Sequence, residues 1–123
     1  MKDEVALKNK VPGELDRYIP LSFSAINDEQ VTFGGVSGWI SYNFAILETI
    51  WVFHEKQGQG LGRELLEKFE KEAIAHKCRR ILTSTNSFSQ SLDFWQKNGF
   101  ELLHTVHSGD DVMIYYLEKK LLP

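Results

Sequence analysis

IWVFHEKQGQGLGREL, residues 50–65, carries an apolar run through three closely spaced glycines and straight into a helical pattern. The run begins at Phe44: FAILETIWVF is apolar at every position except Glu48 and Thr49, as a strand buried on both faces is. Beyond the glycines, Leu61, Leu65, Leu66, Phe69 and Ala73 recur at three- and four-residue steps, which puts them on one stripe of a helix reaching about His76. Gly58, Gly60 and Gly62 remove side chains between the two elements, so successive backbone N–H groups can turn toward one point at the helix N-terminus. The helix dipole favours an anion at that point. Arg63 adds positive charge there, more than offsetting Glu64 one turn into the helix.

Spacing separates the ligands that use such a loop. A phosphate-cradling Walker loop ends in Gly-Lys-Ser/Thr, where this chain has Gly62-Arg63-Glu64. A dinucleotide fingerprint starting at Gly58 needs a third glycine at Arg63 and a βαβ unit opening the chain, and neither is present. What remains is Q-x-x-G-x-G, formed by Gln57, Gly60 and Gly62, or a flexible loop that merely caps a helix.

On the amino-terminal side, LSFSAI and VTFGGVSGWI flank the turn NDEQ as a hairpin, with Gly34, Gly35 and Gly38 pointing to closely packed or irregular backbone in its second strand. Residues 1–20 are punctuated by Pro12-Gly13 and Pro20, with room for a short helical turn between them. On the carboxyl-terminal side come the strand RRILTST, a short helix in SQSLDFWQKNGF with Leu92 and Phe94 inward and Asn98-Gly99 as its stop, and the strands FELLHTVH and VMIYYLE around Ser108-Gly109-Asp110-Asp111. The order is β-β-β-α-β-α-β-β. Glu64 with Lys68 and Glu67 with Lys71 are i,i+4 pairs on a solvated helix face.

With 123 residues, 42% of them hydrophobic and no repeat or linker, the chain reads as one domain over residues 1–123. About two-thirds of the unfolded surface can be buried at this length, so a core forms without staples. A net charge of −3 with no basic run disfavours nucleic acid as a partner. A single cysteine, Cys78, excludes an internal disulfide and a Cys-rich zinc site, and no segment has the length of a membrane span or the pattern of a signal peptide. The expected location is the cytoplasm.

Gln57, Gly60 and Gly62, with Ile50 and Val52 seven and five residues ahead, resemble the pyrophosphate signature of the GNAT superfamily of acyl-CoA-dependent N-acetyltransferases. DFWQKNGF is similar to the family's aromatic-x-x-x-Gly-Phe segment, and GG-x-x-G at Gly34, Trp51-Val52 and Glu48 nine positions before Gln57 recur in several of its branches. The resemblance spans about residues 21–100. It implies an α/β (α+β) fold, a mixed, mostly antiparallel sheet with helices on both faces, shortened at its amino terminus. It implies acetyl-CoA as co-substrate, its pyrophosphate on the backbone amides of Gly58, Gln59, Gly60, Leu61, Gly62 and Arg63. The pantetheine arm pairs with Ile50, Trp51 and Val52, on a strand that splays from RRILTST to open a V-shaped cleft.

The implied reaction is direct attack of a small-molecule or peptide amine on the thioester in a ternary complex. A base must take a proton and the leaving thiolate must be stabilised. Glu48, the only ionisable residue inside the apolar strand, is the candidate base, since burial there would raise its pKa; the alternative is a structural carboxylate. His54 is second, against an exposed loop histidine. Trp95 stands where the family commonly has a tyrosine acid, leaving water or Tyr42, Tyr115 or Tyr116, and Phe88 stands where it has a cofactor-contacting Asn, with Asn86 nearby. The competing function is an acyl-CoA-binding module with little or no turnover. Because residues 1–20 are short for the family's first strand and helices, a homodimer is expected to cover an open edge or apolar face, with VMIYYLE as a second pairing surface. No metal pattern involves His76, His104 or His107.

Overall fold

The computed structural model describes residues 18–89 and 91–121. Its elements are β1 (Tyr18–Ile26), β2 (Thr32–Ser41), β3 (Phe44–Val52), a 3-10 turn (His54–Lys56), α1 (Leu61–Ala75), β4 (Arg80–Asn86), α2 (Leu92–Lys97), β5 (Glu101–His107) and β6 (Met113–Lys120), in the expected order. The strands form one sheet in the order β1-β2-β3-β4-β6-β5, antiparallel throughout except for β3 beside β4.

Turn chemistry sets the hairpins. The Asn27 side chain accepts the N–H groups of Glu29 and Val31, closing the β1–β2 connection. The β5–β6 turn holds Gly109, Asp110 and Asp111 at positive φ. β1 starts at Tyr18, so Pro20 lies inside a strand, where it is tolerated because β1 is the outer strand of the described sheet. The helical turn expected ahead of Pro20 falls mainly on residues outside the described range.

The core follows from register. Ile40, Ala45 and Ile81 are cross-strand neighbours on β2, β3 and β4 and all are fully buried, under the α1 stripe of Leu65, Leu66, Phe69 and Ala73. Cys78 is fully buried as it follows α1, which fits packing and not surface chemistry. In α2 the buried residue is Trp95 and not Leu92 or Phe94, which are only half-buried: its indole sits edge-on to Phe94 and Phe100 at 5.2 and 4.9 Å. Gly99, at φ 93°, ends that helix. Glu67 pairs with Arg63 at 3.2 Å in place of Lys71.

Both described helices lie on one face. Gly62 of α1 packs against the Phe94 ring of α2, and Lys119 of β6 reaches Glu70 of α1 at 2.9 Å while lying beside Gly99. The helices expected on the opposite face have no counterpart among the described residues. β6 is paired with β4 on one side and β5 on the other, so the surface expected of VMIYYLE is a side-chain face and not a backbone edge. Its backbone is consumed within the sheet, and β5 is the outer strand at that end.

Candidate cofactor cleft and active site

Strand β3 is paired on its β4 side for only a third of its length. Its parallel pairing with β4 covers residues 44–46 against 80–82, after which the two strands run on toward Val52 and Asn86 without pairing to each other. At the point of parting, the Thr83 hydroxyl donates to the Leu47 carbonyl at 2.9 Å. Beyond it, the β3 edge facing β4 is open backbone, the hydrogen-bonding template that an extended ligand can complete.

The opposite edge of β3 carries a bulge. Its register against β2 jumps from Ser37–Thr49 to Gly38–Leu47, leaving Glu48 as the extra residue. Gly38 permits this, because a Cβ at that position would lie 1.9 Å from the Ile46 carbonyl oxygen. The burial expected of Glu48 does not occur: the side chain is exposed, as are Thr49 and, at 41%, Trp51. A run apolar on both faces reads as an enclosed strand, yet Ile50 and Val52 stay half-buried on the α1 side while Trp51 stands beside Gly35 on the opposite face, which no described helix covers.

The loop after β3 is built around backbone direction. Gly58 and Gly60 have φ of 79° and 82°, and a Cβ at either would meet nothing within 4 Å, so conformation and not space calls for glycine. Gly60 is the N-cap of α1 and supplies no side chain to the first turn. Among the described residues, the backbone N–H groups of residues 58–63 have no acceptor. The Gln57 amide donates to the Val52 carbonyl at 3.0 Å and straps the loop to the end of β3, a role its place in the motif does not reveal. Gln57→Ala is expected to cost about 1 kcal/mol, read as a melting temperature lower by about 4 °C.

A cavity of about 680 Å³ joins strand edge and loop. Every residue expected to hold the cofactor lines it except Gln59: Ile50, Trp51, Val52, Gln57, Gly58, Gly60, Leu61, Gly62 and Arg63. The opposite wall, unread in the sequence, is Ser89, Ser91, Phe94 and Asn98, with Lys56 near the loop. Only Phe94 had a pattern to find it by; the serines acquire their place from the β4–α2 turn. That turn is closed by Asn86, whose side-chain oxygen accepts the N–H groups of Phe88 and Ser89 at 3.0 Å each, so Asn86 is engaged in the backbone and Phe88 stands exposed. The Ser91 hydroxyl bonds both Thr85 and Ser89.

None of Tyr42, Tyr115 and Tyr116 lines the cavity, and Trp95 is buried against other aromatics. His54 is exposed at the head of the 3-10 turn, its carbonyl accepting the Gln57 N–H. No group of three or more His, Cys, Asp or Glu that could hold a metal occurs among the described residues, and none of the described helices is long and apolar enough to cross a membrane.

Parted parallel strands leading to a glycine-bordered helix N-terminus define a cleft for an extended ligand with anionic groups at one end. The chain belongs to the Acetyltransferase (GNAT) family, whose sequence profile matches residues 7–100. Acetyl-CoA is the acyl donor of this family. Among solved structures, an acetyltransferase from Bacillus cereus ATCC 14579 is 25% identical, with 98% of this chain and 86% of that one covered at a TM-score of 0.83. PaiA N-acetyltransferase from Thermoplasma acidophilum in complex with coenzyme A is 22% identical over 83% of this chain and 61% of that one, with a TM-score of 0.72. An aminoglycoside 6'-N-acetyltransferase complexed with coenzyme A is 14% identical over 96% and 79%, with a TM-score of 0.75. The last two agree in fold alone. No curated protein sequence matches the chain.

Proposed function

We propose that the protein is an N-acetyltransferase that moves an acetyl group from acetyl-CoA to an amine by direct attack in a ternary complex. The observation that carries this reading is the coincidence of an unpaired β3 edge with an unsatisfied helix N-terminus in one cavity. The amides of residues 58–63 hold the pyrophosphate, and the backbone of Ile50, Trp51 and Val52 pairs with the pantetheine amides. Those groups bring the thioester toward the parting point of β3 and β4. The amine nitrogen attacks the thioester carbonyl, the new C–N bond forms as the C–S bond breaks, and the thiolate leaves. Glu48, exposed beside that point, takes the proton lost by the nitrogen, directly or through water. Water protonates the thiolate, because no tyrosine lines the cavity.

An amine acceptor is favoured by the two coenzyme A-bound relatives, both N-acetyltransferases by name. The buried Trp95 favours the alternative of a CoA-binding module with little turnover. Release of free CoA in the presence of a panel of polyamines, aminoglycosides and lysine peptides separates the two.

Ligand at 100 times its dissociation constant stabilises a native state by about 2.7 kcal/mol, so saturating CoA or acetyl-CoA is expected to raise the melting temperature by about 10 °C. Gly60→Glu should remove that shift, since it sets a carboxylate in the anion site and a side chain on backbone held at φ 82°. Absence of a shift in the wild type at millimolar CoA overturns the reading.

A further inference from the structure

We propose that Thr83 is a specificity-determining residue whose hydroxyl bond to Leu47 forms the floor of the cleft and limits the donor to short acyl chains. The inference rests on the proposed reading of the cleft, in which the pantetheine arm runs along β3 toward the point where β4 departs. Backbone pairing stops at Ile46–Leu82. The next carbonyl, that of Leu47, takes its hydrogen from a side-chain hydroxyl and not from the β4 backbone. A donor carried on Cβ holds the β4 main chain farther away than an N–H would, so Thr83 both ends the ladder and starts the opening. The bond is itself enclosed, just inward of the cavity wall that begins at Ile50: Thr83 is 7% exposed, Leu47 is 2% exposed, and Leu117, paired with Thr83 from β6, is fully buried.

An acyl group arriving along β3 therefore meets a buried hydrogen bond. A two-carbon chain can stop above it. A longer chain that follows the same direction has to part Thr83 from Leu47 and leave the carbonyl buried without a donor, an arrangement proteins avoid. Glu48, on the solvent side of the same point, is not part of this floor.

The test is calorimetric titration of free CoA, acetyl-CoA and butyryl-CoA into the wild type, Thr83→Ser and Thr83→Ala. The wild type should bind butyryl-CoA at least about tenfold more weakly than acetyl-CoA. Thr83→Ser keeps the donor and should keep that ratio, whereas Thr83→Ala removes both donor and volume and should bring the two ligands to within about threefold. Equal wild-type affinity for the two acyl-CoAs overturns the inference even if the alanine variant fails to fold. So does a serine variant that loses selectivity as fully as alanine. If free CoA binds to none of the three proteins, the reading of the cleft itself falls; if it binds to all of them and the acyl ratio does not move in Thr83→Ala, only the role of Thr83 falls.

Discussion

Gly38→Ala is expected to destabilise the protein by more than about 3 kcal/mol, a large effect for the addition of a single methyl group. The added Cβ would lie 1.9 Å from the Ile46 carbonyl oxygen and 3.0 Å from both the Ile46 carbonyl carbon and the Leu47 Cα. All three atoms are backbone in a strand paired on both sides at Ile46, so no flexible side chain can yield. Relief requires β2 and β3 to separate at the bulge, which is the feature that sets Glu48 apart from the ladder. Gly35→Ala makes the useful comparison. Its Cβ would approach the Trp51 indole nitrogen at 2.9 Å, but Trp51 is 41% exposed and can swing outward, so the cost should stay below about 1 kcal/mol. Urea melts of both variants measure the difference. A Gly38→Ala midpoint close to that of the wild type would mean that the bulge relaxes easily and does not fix the position of Glu48.

The contrast between these two glycines also shows how far the sequence could be read. Local signals carried most of the fold: the α1 stripe, the Asn27 turn and the Gly99 stop each act within a few residues, and each appears where its pattern predicts. The glycine loop was legible for the same reason, since the positive φ at Gly58 and Gly60 is a property of single residues. What the pattern could not carry depends on separation between strands. FAILETIWVF is apolar on both faces whether or not each face is covered and whether or not its neighbour follows it to the end; the bulge against β2 sets Glu48 outside the ladder, and Trp51 stands on the face away from α1. The second wall of the cleft was hidden for a related reason. Ser89 and Ser91 belong to a turn whose shape is set by Asn86, and Gln57 spends its side chain on Val52, neither of which leaves a periodic trace. Trp95 is the opposite case: local aromatic neighbours, Phe94 and Phe100, are enough to pack its indole.

Glu48→Gln is expected to lower turnover by about 10²–10⁴-fold while leaving CoA affinity nearly unchanged. The substitution keeps the shape of the side chain and removes only its ability to accept a proton. A structural role would require partners, yet among the described residues the Glu48 carboxylate makes no hydrogen bond or ion pair. Position is what recommends it: it is the unpaired residue of the bulge, directly after the carbonyl that Thr83 holds and two residues before the start of the cavity wall at Ile50. A carboxylate there can also attract a cationic amine, and the kinetic constants separate the two roles. Loss of attraction alone raises the acceptor KM and leaves kcat in place, whereas loss of the base lowers kcat. The pH dependence gives a second discriminator. Without a base, the reaction depends on the fraction of amine already neutral, so the rate of the glutamine variant should climb about tenfold per pH unit below the pKa of the amine, and the deficit against the wild type should narrow as pH rises. Full activity with an unchanged pH profile would assign the proton to bulk water and leave Glu48 as a consequence of the bulge that Gly38 allows.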